Sequence, residues 1–347
     1  MDEARLDEIT GRFEALKILV LGDFFLDRYL IIHRALRETS LETGLECHQV
    51  VAVQPSPGAA GTVVNNLRAM GVSVRILGVI GDTGEGYELR RAFAASGVDQ
   101  SLLIVRPDLL TPTYTKPMMH EPDGRVHELE RIDIKNRAPL PTDVEGMIIE
   151  RLRAAVPQVD AVIISEYVQE RNHGAVTDRV REEVIALAQR YPQKVFAADS
   201  RTRIDLFRQV VIKSNLREAW RALGRDERGE PPLSEVLAAS QEIARRNGRP
   251  VFITLGERGM AVSDGQRASH VPTVRETGPI DPVGAGDAAI AGIASALAAG
   301  ASPEEAALIG NLAAAVTIRK IGTTGTASVP EIKERLACLK EQNRTAD

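Results

Sequence analysis

Aromatic residues are scarce in this chain of 347 residues: phenylalanine, tryptophan and tyrosine make up 4% of it, with a single tryptophan. Because hydrophobic residues still reach 44%, we expect a core built mainly from aliphatic side chains, as in many α/β proteins. Cysteine is also rare. Cys47 and Cys338 lie far apart and in no metal-ligand spacing, which argues against a disulfide framework or a structural zinc site. We therefore expect a reducing, cytoplasmic environment.

Signals of several other protein classes are missing. No uncharged apolar run reaches about 18 residues, and the charged N-terminus lacks the apolar stretch of a secretory signal, so we predict neither a membrane span nor export. The net charge is −5 without a basic block, which argues against nucleic acid as a partner. No G-x-G-x-x-G follows the first apolar strand and no P-loop motif occurs, which disfavours a dehydrogenase. The six histidines lack metal-ligand spacing, which disfavours a metallohydrolase.

The sequence does contain a regular alternation of short apolar runs and amphipathic segments. Runs such as KILVLG (17–22), VSVRILGVIG (72–81) and DAVIIS (160–165) are typical of buried parallel strands, and helical periodicity separates them. This order indicates an α/β fold with a mostly parallel sheet and right-handed crossovers. Because neither a repeat nor a linker is evident, we expect a single domain over residues 1–347.

Two stretches interrupt the alternation. Residues 28–55 lack helical periodicity, and CHQVVAVQP (47–55) alternates as a strand that Pro55 would end. TPTYTKPMMH and RVHELERIDI are typical of a hairpin around the turn EPDGR. Segments 28–55 and 111–133 together predict a small accessory β-sheet inserted in the α/β core. Such a sheet would serve either as a lid over a site or as a surface decoration.

The stretch DPVGAGD (281–287) combines a glycine-rich turn, the start of an alanine-rich helix and a carboxylate. Such a turn directs consecutive N–H groups and the positive end of the helix dipole toward one point, which favours binding of an anion. The carboxylate of Asp287 is unexpected there unless it takes part in chemistry. The alternative is that Asp287 is an ordinary helix-capping residue.

Asp23 and Asp27 follow the first strand, at the edge where open α/β sheets bind ligands. The alternative is that both carboxylates cap a loop.

Residues Gly58 to Asn66, followed late by DPVGAGDAAIAGIASALAAG, resemble the paired motifs of the ribokinase-like (PfkB) carbohydrate kinase family. The resemblance runs from about Lys17 to Leu336. It is greatest to the heptose-7-phosphate kinase part of the bacterial ADP-heptose synthase group, through GDFFLDRY, PTYTK, LERID and GNLAAAVTIRKIGTTG. It implies a three-layer α/β/α ribokinase-like fold with a β-sheet lid.

The same resemblance implies ATP-dependent phosphorylation of a sugar or sugar-phosphate hydroxyl, with Mg²⁺ and a monovalent cation as further cofactors. Asp287 would be the general base, and the backbone amides of Gly284, Ala285 and Gly286 would form the anion hole for the transferred phosphoryl group. Family members commonly pair through the lid sheet, so the resemblance also implies a homodimer.

On the nucleotide side, the family's N-x-x-E motif is present as Asn215-Leu216-Arg217-Glu218. The resemblance implies that Asn215 and Glu218 organise Mg²⁺ through water, and that Thr254, Gly256 and Asn311 contact the nucleotide. The alternatives are a chance N-x-x-E match and, for Asn311, a helix asparagine that caps a neighbouring loop.

On the acceptor side, the resemblance implies that Asp27 accepts hydrogen bonds from sugar hydroxyls. Gly58 and Ala59 would let the backbone approach the sugar closely. Lys116 and Arg131, on the predicted hairpin, would meet a phosphate already present on the substrate; alternatively they are solvated surface charges.

Four positions depart from the family pattern. Ala59 replaces a glycine, Thr62 replaces the usual asparagine, Val283 replaces a threonine, and Glu166 replaces the aspartate of a Ser-Asp-Tyr segment. Because the base and the amides remain, we expect activity to survive and substrate choice to differ. A nucleoside or other small-alcohol kinase, or a weakened regulatory protein that binds a sugar phosphate, stays open as an alternative.

Overall fold

The computed structural model describes residues 1–226, 229–322 and 324–346 of the chain. This described part contains ten α-helices: α1 (Glu3–Thr10), α2 (Ala60–Ala69), α3 (Gly84–Ala95), α4 (Thr142–Ala155), α5 (Asp178–Arg190), α6 (Leu216–Ala222), α7 (Leu233–Asn247), α8 (Ala285–Ala298), α9 (Pro303–Thr317) and α10 (Val329–Ala346). It also contains seventeen strands: β1 (Lys17–Gly22), β2 (Phe24–His33), β3 (Glu38–Thr39), β4 (Glu46–Cys47), β5 (Val50–Ala59), β6 (Ser73–Leu77), β7 (Val79–Gly81), β8 (Ile104–Arg106), β9 (Thr113–His120), β10 (Val126–Glu128), β11 (Ile132–Ile134), β12 (Ala161–Glu166), β13 (Val195–Ser200), β14 (Val211–Asn215), β15 (Val251–Thr254), β16 (Met260–Ser263) and β17 (Ala268–Val271). None of the described helices combines the length and the apolar character that crossing a membrane requires.

Eight strands form the central sheet, in the order β17-β16-β15-β14-β13-β12-β1-β6. The six strands from β6 to β15 are parallel, and β16 and β17 are added antiparallel at one edge. Along β1, Ile18 and Val20 enter one hydrophobic cluster, whereas Leu19 and Leu21 enter another. The strands are apolar almost throughout because both faces of the sheet are buried.

Helices cover both faces of this sheet. The first cluster includes buried side chains of α1, α2, α3, α8, α9 and α10, and the second includes those of α4, α5, α6 and α7. Helix α8 is apolar on all sides because the sheet and α9 enclose it. Gly292 allows this packing: a Cβ there would lie 3.2 Å from the Cα of Gly310 in α9. The predicted three-layer α/β/α architecture is confirmed.

The predicted accessory sheet is also present. It has the strand order β10-β9-β2-β5, with β11 pairing to β9, and we call these five strands the lid sheet. The prediction that Pro55 ends a strand was wrong, because β5 runs through Pro55 and Pro57 to Ala59. The lid sheet ends at β5, and an edge strand tolerates the missing N–H of proline on its unpaired side.

The run VSVRILGVIG, predicted as one strand, is divided into β6 and β7 at Gly78. A Cβ on Gly78 would lie 2.5 Å from the carbonyl oxygen of Gly22 and 2.8 Å from the ring of Phe24. The chain therefore bends at Gly78, which lies beside the point where β1 leads into β2 of the lid sheet. After the bend, β7 leaves the central sheet and pairs with β8.

Candidate active site

The carboxyl ends of five adjacent parallel strands meet at one edge of the central sheet, and each strand brings a polar side chain there. These side chains are Asp23 directly after β1, Tyr167 directly after β12, Asp199 in β13, Asn215 in β14 and Thr254 in β15. Helix α8 begins at the same edge, because a Cβ on Gly286 in its first turn would lie 2.7 Å from the Nζ of Lys213 in β14. Open α/β sheets bind their ligands at this edge.

Asp287 lies in the first turn of α8 and is only 8% exposed. Burial raises the pKa of its carboxyl to about 6. A hydrogen bond donated by the hydroxyl of Tyr167 and the charges of Lys213 and Arg201 act in the opposite direction, whereas Asp199 adds to the rise. The carboxyl is therefore ionised at neutral pH and titrates just below it, as suits a general base.

Lys213 and Asp199 form a buried ion pair beneath α8, with 2.7 Å between Nζ and Oδ2. Burial acts to lower the pKa of Lys213, but the negative charges of Asp199 and Glu218 outweigh it and the pKa is raised. Lys213 therefore stays charged at neutral pH. Its ammonium group lies against Gly286, at the N-terminal end of α8.

The turn that precedes α8 has the geometry of an anion site. Gly284 is the N-cap residue and adopts a φ of 81°, in the left-handed region that favours glycine. The N–H of Ala285 donates to the carbonyl of Pro282 within the turn, at 3.2 Å. The N–H of Gly286 lies in the first turn, where an α-helix provides no carbonyl partner. Gly286 is therefore the best placed of the three predicted residues to donate to a phosphate.

A cavity of about 800 Å³ opens beside this turn. Among the residues that line it are five of the predicted ones: Thr254, Gly256, Ala285, Gly286 and Asn311. The amide of Asn311 donates to the carbonyls of Val271 (3.0 Å) and Pro272 (3.1 Å), so it anchors the cavity wall that follows β17. The hydrogen bonds of Asn311 are therefore those of the alternative stated above, a helix asparagine that caps a neighbouring loop. Asn311 also lines the cavity, as a nucleotide contact would.

Asn215 and Glu218 form a reciprocal cap at the start of α6. The side chain of Asn215 accepts the N–H of Glu218, and the side chain of Glu218 accepts the N–H of Asn215, both at 2.8 Å. The N-x-x-E spacing is thus that of a capping box. Burial, followed by the charge of Asp199, raises the pKa of Glu218, whereas the charges of Lys213 and Arg201 oppose the rise. Within the described residues, no three His, Cys, Asp or Glu side chains form a metal cluster.

Asp27 lies in β2 on the lid sheet and is 7% exposed. Its carboxylate lies against Gly58, where a Cβ would come within 2.8 Å of Oδ2, so only glycine fits at that position. Lys116 in β9 contacts Oδ2 at 3.4 Å and donates to the hydroxyl of Tyr29 at 3.2 Å. Burial raises the pKa of Asp27, while Lys116 and Arg131 oppose the rise.

The residues predicted for the acceptor side reach α8 through the start of α2. Ala59, directly after Gly58, is the N-cap of α2 and has a φ of 53° and a ψ of −123°. Thr62, in the first turn of α2, places its Cγ2 3.3 Å from where a Cβ on Gly284 would lie. The structure thus brings Asp27, Gly58, Ala59, Thr62 and Gly284 into one continuous group.

Arg131 lies at the rim of this group. Its guanidinium is 4.1 Å from the ring centroid of Tyr114, the residue paired with Asp27 across the lid sheet. It also donates two hydrogen bonds to Asp133, at 2.7 and 3.0 Å. Its side chain is 42% exposed, whereas that of Lys116 is 12% exposed. Lys116 is therefore enclosed beside Asp27, and Arg131 faces solvent.

Glu166, the residue that departs from the Ser-Asp-Tyr segment, is 2% exposed. It accepts hydrogen bonds from Arg181 (2.7 Å), Arg203 (2.6 Å) and Ser200 (2.5 Å). This ion network holds together the ends of β12 and β13 and the start of α5. The glutamate that replaces the family's aspartate at position 166 therefore has a structural role, as the acceptor at the centre of this network.

Sequence reasoning missed four polar residues of the site: Tyr167, Asp199, Arg201 and Lys213. All of them lie within two residues of the carboxyl end of a strand that the sequence did predict. Their position at the carboxyl ends of predicted strands, where open α/β sheets bind ligands, could have identified them from the sequence.

Comparison with known proteins gives a consistent result. Residues 29–330 match the model of the pfkB family carbohydrate kinases. The chain is 30% identical, over 350 aligned residues, to the bifunctional protein HldE of Trichlorobacter lovleyi, with 100% of this chain and 67% of that protein covered. It is 31% identical to the HldE protein of Nitratiruptor sp. over 325 residues, which cover 92% of this chain and 64% of that protein. The chain thus spans about two thirds of the length of these relatives.

Among solved structures, the Y23D mutant of phosphofructokinase-2 from Escherichia coli superposes with a TM-score of 0.70 at 18% identity, covering 94% of this chain and 99% of that one. The nucleoside kinase of Methanocaldococcus jannaschii superposes with a TM-score of 0.58 at 17% identity, covering 92% and 98%. These likenesses show the ribokinase-type fold. Together with the family match over most of the chain, they show that this protein is an ATP-dependent carbohydrate kinase of the PfkB family.

Proposed function

We propose that the protein transfers the terminal phosphoryl group of ATP to a hydroxyl of a sugar phosphate, with Asp287 as the general base. One observation carries the proposal: a buried carboxyl with a pKa of about 6 lies at the start of α8. On one side of it is the cavity of about 800 Å³, and on the other is the group around Asp27. The acceptor type follows the resemblance to the heptose-7-phosphate kinases.

In this proposal Asp287 accepts the proton of the acceptor hydroxyl as the hydroxyl oxygen attacks the terminal phosphorus of ATP; the bond from that phosphorus to the bridging oxygen breaks, and ADP leaves with that oxygen. The N–H groups of the α8 turn and the ammonium of Lys213 face the charge on the transferred phosphoryl group. Because these donors are held by the turn and by the Asp199 pair, little reorganisation is needed during transfer. Positioning and fixed electrostatics then provide most of the acceleration.

The residues around Glu218 fit a magnesium ion held mainly by nucleotide phosphates and water. Mg²⁺ takes oxygen ligands and commonly binds one or two carboxylates while it keeps several waters. Glu218 is buried, its pKa is raised, and Asn215 adjoins Thr254 of the cavity wall across β14 and β15. When bound, the ion would supply positive charge at the phosphates. The chain's own contribution is to hold Glu218 in place through the α6 cap.

The acceptor would lie against Gly58 with its hydroxyls on Asp27. Lys116 and Arg131 are the lid cations near this position, and both already neighbour carboxylates. We propose that Arg131, the more exposed of the two, exchanges its Asp133 contact for a substrate phosphate. Such an exchange replaces one charge-assisted hydrogen-bond pair by another.

The proposal is tested by measuring ADP release with a panel of sugars, sugar phosphates and nucleosides. A sugar phosphate should have the highest kcat/KM, and Asp287→Asn should lower kcat by about 10²- to 10⁴-fold while ATP still binds by calorimetry. A nucleoside as the best acceptor would overturn the acceptor assignment. Near-normal turnover by Asp287→Asn would overturn the assignment of the base.

Arg131→Gln tests the phosphate contact. It should raise KM for a phosphorylated sugar at least tenfold more than for the same sugar without phosphate. Arg125→Gln is the matched control, because Arg125 lies on the same hairpin and also pairs with an aspartate two residues away, Asp123, at 2.7 Å. Equal effects of Arg131→Gln on both acceptors would contradict a phosphate contact.

We also propose that two copies pair through the lid sheet. Its edge strand β5 exposes Val51 and Val53 by about half of their surface (49% and 50%), and Ile132 of β11 is 62% exposed. Apolar residues grouped on an edge strand favour covering by another chain. Light scattering should give twice the monomer mass, and Val51→Glu with Val53→Glu should shift it to that of the monomer. A monomeric wild-type protein would overturn this pairing.

A further inference from the structure

Tyr167 contacts the base directly, and the proposed function assigns it no step. Its hydroxyl donates a hydrogen bond to Oδ1 of Asp287. Its ring lies under the guanidinium of Arg201, with 4.8 Å between Cζ and the ring centroid. The phenol is thus held from two sides, with its O–H directed at one oxygen of the carboxylate.

The segment that carries Tyr167 is anchored by a second buried carboxylate, that of Asp23. Oδ2 of Asp23 accepts the backbone N–H groups of Tyr167 and Val168, both at 2.8 Å, and Oδ1 accepts the N–H of Ala175 at 2.7 Å. Asp23 is 5% exposed, and Gly174 packs so closely on its carboxylate that no Cβ fits there. Both ends of the segment 167–175 are therefore tied to one side chain at the end of β1.

We propose that Tyr167 is a positioning residue for phosphoryl transfer: its hydroxyl fixes the orientation of the Asp287 carboxylate, and Asp23 fixes Tyr167. The inference rests on the proposed role of Asp287 as the base. An ionised carboxylate can accept about four hydrogen bonds. With Oδ1 engaged by Tyr167, Oδ2 is left for the acceptor hydroxyl. A carboxylate without this contact would rotate and present either oxygen.

The charged surroundings of Asp287 support the inference. Four ionisable groups act on its pKa: Tyr167 after β12, Asp199 and Arg201 at the end of β13, and Lys213 of β14. Burial raises the pKa of Asp287, and the Tyr167 hydrogen bond lowers it. Loss of the phenol O–H should therefore raise the pKa and leave less of the ionised base near neutral pH. A residue that served only in packing would not move this titration.

Tyr167→Phe is the first test, because it removes the hydroxyl and keeps the ring against Arg201. At pH 7.5 we expect kcat to fall about 10- to 100-fold with KM for ATP within twofold of wild type. The acid limb of the kcat profile should move to higher pH. A wild-type kcat with an unmoved acid limb would overturn the inference. If Asp287→Asn is inactive in the same assay, that result would leave the proposed function intact.

A second test needs no acceptor. The pKa of Asp287 is higher in the folded protein than in the unfolded chain, so its contribution to stability is present below about pH 4 and is lost as pH rises through about 6. The difference in Tm between Asp287→Asn and wild type should therefore grow between pH 4 and pH 7. In the Tyr167→Phe background this growth should begin at the same pH but continue to higher pH and reach a larger value, because only the folded-state pKa of Asp287 is raised. An unchanged pH dependence would overturn the inference.

Asp23→Asn tests the anchor, because an amide keeps the shape but loses the charge that holds three N–H groups. In a double-mutant cycle with Tyr167→Phe, the effects on kcat should be strongly non-additive, since both act through one contact. Additive effects would overturn the role of Asp23. If Asp23→Asn does not fold, Asp23→Ser, which is smaller and keeps one hydrogen-bond acceptor, takes its place in the cycle with the same two outcomes.

Discussion

The ammonium of Lys213 and the carboxylate of Asp199 lie 2.7 Å apart at the ends of adjacent strands β13 and β14, and both are nearly enclosed by protein. The pair lies directly beneath Gly286 of α8. It therefore places a cation directly beside the helix turn at which the proposed mechanism binds the phosphoryl group, and the negative charges of Asp199 and Glu218 keep that cation charged despite burial.

Breaking this pair should cost both stability and activity. Lys213→Met should lower the free energy of unfolding by about 3–5 kcal/mol in urea titrations, because it leaves Asp199 buried without a partner. Adding Asp199→Leu should recover most of this loss, because two apolar side chains tolerate burial, but it should not recover kcat. Arg125→Met, which breaks the exposed pair with Asp123, should leave stability almost unchanged, because solvent screens that pair. Full activity of the double variant would show that Lys213 has no role in transfer.

Activity should depend on pH through Asp287. Its base form is required, and its pKa is about 6, so kcat/KM should fall about tenfold per pH unit below pH 6 and be flat above pH 7. Rates measured from pH 5 to 8 with saturating Mg²⁺ check this. The residual activity of Asp287→Asn should lack the acid limb. A wild-type rate that stayed constant down to pH 5 would contradict the assignment of Asp287 as the titrating base.

The capping and metal roles of the N-x-x-E motif can be separated. Glu218→Gln should keep the α6 cap, since glutamine also serves in a capping box, but should lose the charge. It should therefore raise the Mg²⁺ concentration needed for half-maximal rate by about tenfold or more, with a change in Tm of a few degrees at most. Asn215→Ala is the complementary variant and should cost about 1 kcal/mol of stability through the lost cap. An unchanged Mg²⁺ requirement in Glu218→Gln would assign the motif to capping alone.

Ala59 is the residue whose backbone conformation is least suited to its side chain. Its φ of 53° with a ψ of −123° belongs to a region that glycine adopts readily and alanine does not. Ala59→Gly should therefore raise the free energy of unfolding by about 1 kcal/mol, even after the extra entropy of the unfolded chain is counted. Ala69→Gly, at the other end of α2, should instead lower it by about 0.5–1 kcal/mol. Thermal unfolding of both variants tests this prediction. A lower stability of Ala59→Gly would show that packing of the Ala59 methyl group outweighs the backbone strain.

Much of the fold could be predicted from local patterns. The inner strands of the central sheet, such as β1 and β12, are buried on both faces, so their sequences differ plainly from those of the amphipathic helices around them. The accessory sheet was harder to bound, because Pro55 is a poor strand residue anywhere except on an edge. Which strand forms the edge is decided by long-range pairing of β2 with β5 and β9.

The site shows the same division. The glycine-rich turn at 284–286 and the carboxylate of Asp287 were evident in the sequence, because their spacing is local. The contacts of Lys213 with Asp199 and of Tyr167 with Asp287 join residues 14 and 120 positions apart, so no spacing rule points to them.

The sequence by itself determined the order of strands and helices, the glycine-rich turn at 284–286 that favours binding of an anion, and the residue types at the strand ends. The tertiary structure decided which of these side chains are charged, paired and turned toward one another. The reason is physical: the pKa of Asp287 depends on burial and the charge of Lys213 depends on Asp199 and Glu218, and both the burial and these neighbours arise only when the strands and α8 pack together.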